Sequence, residues 1–77
     1  MNIVADLDLL SVVALLGDVP EHGLVRGQVG TVVELLAPSV VEVEFNDDHG
    51  NTYAQAALRS DQLMLMRLHH RPLEQVA

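Results

Sequence analysis

The sequence predicts an all-β domain built as a small five-stranded antiparallel barrel, and three observations carry that prediction. Val41, Val43 and Phe45 alternate with Glu42 and Glu44, the period of two that gives a strand one buried and one wet face. Short apolar runs recur between clusters of Gly, Pro, Asn and Asp, the pattern of short strands joined by turns. The run LLSVVALL at residues 9–16 is almost continuously apolar and β-branched in its middle, and at that length a buried strand fits it better than a helix.

Residues 1–8 form a lead-in whose Ile3, Leu7 and Leu10 spacing would suit one helical turn but is too short to define an element. The first strand is expected over residues 9–16. Gly17, Asp18, Pro20 and Gly23 then mark a long loop reaching Arg26, with Asp18 and Glu21 making its tip acidic. The central hairpin has arms at residues 29–36 and 40–45, joined through Ala37, Pro38 and Ser39. Gly27 suits a turn, and Gly30 a bulge or a close backbone approach.

The run NDDHGN at residues 46–51 is the strongest turn signal, with Gly50 supplying a positive φ where the turn needs one. The strand at residues 52–58 alternates so weakly that either the Tyr53 and Gln55 side or the Ala54 and Ala56 side fits inward. Arg59, Ser60 and Asp61 read as one helical or 3₁₀ turn, and residues 62–68 as a last strand with Leu63 and Leu65 on one face. Residues 69–77 lack periodicity, carry Pro72 and are read as a flexible tail, leaving residues 9–68 as the domain.

A 77-residue chain forms one domain and buries only about 60–65% of the surface its unfolded chain exposes, so each apolar strand face matters. With no cysteine, disulfides and thiolate metal sites are excluded, which fits a cytoplasmic protein. The first residues carry Asp6 and Asp8 and no basic leader, so a secretory signal is not expected. No apolar run approaches the roughly 20 residues of a membrane helix. Eleven acidic residues against four arginines give a net charge of -7, which repels nucleic acid and anionic membranes. Phe45 and Tyr53 are the only aromatics, too few for base stacking or for proline-peptide grooves.

Short strands, a long first loop, tight later turns and a 3₁₀-like turn before the last strand describe a strongly bent barrel of the SH3-like kind. The runs VVALLGDVPEHGLVRGQVGTVVELL, VVEVEFNDDHGNTYAQAAL and DQLMLM resemble the short bacterial family catalogued as domain of unknown function 4926, over residues 9–66. Asp18, Pro20, Gly23, Leu24, Arg26, Gly27, Gly30, Val32, Val33, Glu42, Val43, Glu44, Phe45, Gly50 and Tyr53 match best. Ser11 departs from the acidic residue the family pattern has there, and His69 and His70 lie outside it. The resemblance implies a compact SH3-like fold and names no activity, so function stays open. RGQVGTVVE alone is also similar to the KOW-type motif of ribosomal and transcription proteins.

No residue pattern indicates catalysis, a cofactor or a metal. His69 and His70 are adjacent and point apart in an extended segment, while His22 and His49 belong to different loops. Asp47, Asp48 and His49 lack the alternating carboxylates of a calcium loop and read as a solvated turn. Glu42 and Glu44 share a face, as paired catalytic carboxylates would, yet keeping a sheet face wet accounts for them without a substrate cleft. Ser11, Ser39 and Ser60 sit in no nucleophile elbow. Gly27 and Gly30 lack the Lys and helix of a phosphate loop.

A non-enzymatic module binding a basic protein partner follows, in the manner of antitoxin or immunity proteins, with Asp18, Glu21, Arg26, Glu42 and Glu44 as contact candidates. Arg26 is expected to pair internally. The alternative is a KOW-like nucleic-acid or ribosome-associated module. Residues 9–16 and 63–68 carry apolar side chains on both faces, so a patch rimmed by Asp6, Asp8 and Arg67 is expected to form a homodimer through Leu7, Leu9, Met64 and Met66.

Overall fold

The computed structural model describes residues 7–67. Five strands form one antiparallel sheet: β1 (Val12–Leu15), β2 (Val29–Ala37), β3 (Val40–Asn46), β4 (Thr52–Arg59) and β5 (Leu63–Leu65), in the spatial order β4-β3-β2-β1-β5. Among the described residues no ladder joins β4 to β5, so the sheet is open. Residues 1–6 and 68–77, including Asp6, His69, His70 and the expected tail, lie outside the described residues.

The inner face collects Val13 and Leu15 of β1, Val32 of β2, Val41, Val43 and Phe45 of β3, Ala56 and Leu58 of β4, and Leu63 of β5. Directly opposed residues share a face. The rows Val32–Val43–Ala56 and Leu35–Val41–Leu58 therefore run straight across the sheet. Ala54 packs against this core while Tyr53, Gln55 and Ala57 are exposed, which settles the orientation of β4.

The first strand is shorter than its apolar run, because Asp8 to Ser11 forms a turn. The Ser11 amide donates to the Asp8 carbonyl at 3.1 Å, and the Asp8 amide donates to Ser11 Oγ at 3.0 Å. Leu10 has φ 70°, the left-handed conformation that the third residue of a type II turn requires and that favours glycine. Its side chain is 75% exposed, so little packing offsets the strain. Leu10→Gly is expected to stabilise the domain by about 1 kcal/mol, read as a raised denaturation midpoint with unchanged slope. An unchanged or lowered midpoint would contradict the strained turn. The last strand is likewise shorter than residues 62–68, ending at Leu65 with the Met66 amide still donating to the Val12 carbonyl.

The loop between β1 and β2 is no excursion into solvent. Val19 and Leu24 exchange backbone hydrogen bonds of 2.8 and 3.1 Å around a 3₁₀ turn at Pro20–His22, and both side chains are buried in the core. Gly23 closes that turn with φ 68°. The 3₁₀ turn lies at Ser60–Gln62, one residue later than expected, and its Gln62 Oε1 accepts from the Arg59 amide.

Gly30 makes the close approach without the bulge. A Cβ there would lie 2.6 Å from Val43 Cγ1, 2.8 Å from the Glu44 carbonyl oxygen and 2.9 Å from Phe45 Cδ2. The register shifts occur elsewhere, between Val32 and Glu34, between Leu35 and Ala37, and between Phe45 and Asn46. The first has a direct consequence. In the register of Val32 with Val43, Glu34 would face Val41 in the core; the extra residue Val33 places it opposite Glu42 instead.

Candidate functional site

The outer face of the sheet divides into two halves of different chemistry. Across β5, β1 and β2 the row Met64–Ala14–Val29 is apolar, and Val12 opens the next row, Val12–Thr31–Glu44–Gln55. Met64 and Val29 are about half exposed and flank Ala14, which is buried between them. Across β2 and β3 the row Glu34–Glu42–Ala57 sets two carboxylates opposite each other, with Glu44 two residues along β3 on the same face. Among the described residues the only ion pair is Arg59 with Asp61 at 3.0 Å, so none of the described arginines pairs with these glutamates.

The other expected contact residues are dispersed. The Asp18 carboxylate accepts a 2.8 Å hydrogen bond from the Arg26 backbone amide, which closes the first loop. The Arg26 guanidinium makes no ion pair among the described residues; it is the Arg26 backbone amide that meets Asp18. Glu21 sits in the Pro20–His22 turn, exposed. Of the candidates, Asp18 and Arg26 meet within the first loop, while Glu42 and Glu44 share the outer face of the sheet, where Glu34 joins them. Sequence reasoning missed Glu34 because only the Val33 bulge turns it outward.

The expected self-association residues fall in different environments. Leu7 packs against the core and Leu9 belongs to the Asp8–Ser11 turn. Met64 stands on the outer face, and Met66 follows it where its amide meets the Val12 carbonyl. The apolar surplus expected of the first strand is smaller than its composition implies, since Val13, Ala14 and Leu15 are all buried within the chain.

The described residues bring no three His, Asp or Glu side chains together as a metal site. His22 and His49 remain on separate loops. In the turn after β3 the Asp47 carboxylate accepts from the amides of Asn51 at 2.9 Å and His49 at 2.8 Å, and Gly50 takes φ 83°. Those donors, Asn51 first, hold the Asp47 carboxyl below the ordinary aspartate pKa. A depressed folded-state pKa contributes stability that is present above the unfolded value and lost as pH falls through the folded one. Asp47→Ala is therefore expected to melt below the native protein at neutral pH, with the gap closing once acid protonates the carboxyl. A gap that is constant down to the acid limit would contradict this. The group fixes a turn, and the chemistry ends there.

Tyr53 occupies the bulge at the start of β4, with its ring 6.3 Å from that of Phe45 and its hydroxyl 3.2 Å from Gln28 Nε2. This contact ties the end of the first loop to β4. No helix among the described residues is long and apolar enough to cross a membrane.

A family model described as "Domain of unknown function (DUF4926)" matches residues 9–65. No curated protein and no solved structure matches the chain.

Proposed function

The chain belongs to this family of unknown function, and for it we propose a non-enzymatic protein-interaction module whose partner is a basic protein. The observation that carries this reading is the opposition of Glu34 and Glu42 across the β2–β3 ladder, with Glu44 beside them and no ion pair to any of the three among the described residues. Like charges facing each other across strands cost roughly 0.2–1 kcal/mol per pair. Solubility alone would be served as well by mixed charges, whereas a cationic partner removes the repulsion on binding and is steered towards it. An antitoxin-like or immunity-like role in the cytoplasm, opposite the product of a neighbouring gene, is the concrete form of the proposal. The contact set centres on Glu42 and Glu44 with Glu34 added; Asp18 drops out because it closes its own loop.

The finer fold reading, an SH3-like barrel, is supported by the strand order, by the long loop after β1 and by the 3₁₀ turn between β4 and β5.

Affinity capture from the native cell with the wild type and with the Glu34→Gln/Glu42→Gln double variant tests the function. A basic protein retained by the wild type, released by salt and missing from the variant is the expected result. Equal recovery by both overturns the reading. Capture of nucleic acid in place of protein would replace it with the KOW-like alternative.

A further inference from the structure

Resting on that reading, we propose that the outer face receives one basic amphipathic α-helix, whose apolar side lies on the stripe of Val12, Val29 and Met64 and whose cationic side meets Glu34, Glu42 and Glu44. The two halves of the face carry this. An antiparallel sheet exposed to water on one side ordinarily places polar residues there. Here the strands β5, β1 and β2 instead present valine and methionine, with Met64 49% and Val29 45% exposed.

Three neighbouring strands span about 10 Å at their usual spacing, which is about the diameter of a helix with its side chains. An extended peptide would seek backbone at a sheet edge, but β1 and β2 at the centre of this surface are paired on both sides. The face therefore offers side chains, the currency of helix docking. Methionine adapts to a range of apolar partners.

Charge fixes which helix. Glu44 lies in the same row as Val12, with Thr31 between them, and Glu34 and Glu42 form the next row along β2 and β3. A helix seated on the stripe thus presents one flank to the carboxylates. Lysine or arginine on that flank, three or four residues from the apolar positions, meets Glu34, Glu42 and Glu44. An acidic or neutral helix gains the apolar contact and no relief of the glutamate repulsion.

The test uses the full chain and a synthetic leucine–lysine peptide about five turns long, with leucines at helical spacing, against an isomer of the same composition with leucines alternating. Fluorescence anisotropy at physiological ionic strength is expected to show the helical peptide binding at least about tenfold more tightly than the isomer. Glu34→Gln/Glu42→Gln and, separately, Met64→Ser are each expected to weaken binding by about tenfold. Glu21→Gln/Asp48→Asn, which removes the same net charge away from this face, is expected to change it by less than about twofold. Equal losses for the two charge pairs, or no preference between the peptides, overturn the proposal. So does light scattering that shows a dimer abolished by Met64→Ser, because a second copy then occupies the face. If capture yields a basic partner while the peptide arms fail, the interaction-module reading stands and the helix inference alone falls. If the peptide arms succeed while capture recovers the same proteins with both baits, the surface is real and its cellular role is not the one proposed.

Discussion

Gly30→Val is expected to abolish folding, and Gly30→Ala to destabilise the domain by about 3 kcal/mol. The first added carbon already meets three obstacles at once: Val43 Cγ1 at 2.6 Å, the Glu44 carbonyl oxygen at 2.8 Å and Phe45 Cδ2 at 2.9 Å. Side chains in a loose surface region move aside. Val43 and Phe45 are fully buried core residues, and the carbonyl belongs to the central ladder, so relief requires β2 and β3 to separate. A domain of this size has on the order of 4–12 kcal/mol of total stability, which valine's two further methyl groups exhaust. Circular dichroism and urea titration check this. A Gly30→Ala protein with the native midpoint would mean that the strands are not held this close.

Val43→Asp is expected to lower the stability of the domain by about 3–6 kcal/mol, whereas Glu42→Gln, one residue away, is expected to be neutral or to stabilise slightly. Val43 has no exposed surface and stands between Val32 and Ala56. Its loss forfeits roughly 1.5–3 kcal/mol of burial, and an unpartnered carboxyl in its place adds about 1–3 kcal/mol even if it protonates. Glu42 faces outward against Glu34, so neutralising it removes a repulsion worth roughly 0.2–1 kcal/mol. Equal melting temperatures for the two variants would refute the register. The Glu42→Gln stabilisation should also fade at high salt, where exposed charges are screened.

These two residues mark how far the sequence could be read. Their alternation on β3 was legible because valine and glutamate differ so strongly in hydropathy. Across β4 the same logic stalled, since alanine on both faces gives almost no contrast, and only packing distinguishes Ala54 and Ala56 from Ala57. The first strand is shorter than its apolar run suggests, because composition does not reveal that Leu10 adopts a left-handed conformation. Val19 and Leu24 were hidden by turn residues around them, although an apolar pair bracketing Pro20 and Gly23 is a signal that a loop is pinned to the core. At the candidate site, the Glu42 and Glu44 pairing was visible along one strand. The meeting of Glu34 with Glu42 depends on the position of a single bulge between strands, and no local pattern announces it.

The placement of β1 between β2 and β5 has a kinetic consequence. Strands β2, β3 and β4 follow one another through short turns and can zip together locally, but β5 pairs only with β1, aligning Val13 with Leu65 near opposite ends of the described chain. That pairing must close nearly the whole chain for a three-residue ladder, the costliest loop in the molecule for the fewest bonds. The meander should therefore assemble first and β5 should dock last. In the native state β5 should be the first strand to open, with the Met64 and Met66 side of the outer face loosening while the glutamate rows stay in place. Amide exchange would show this directly, with the amides of β5 exchanging before those of β3; simultaneous exchange would mean that the sheet opens as a single unit.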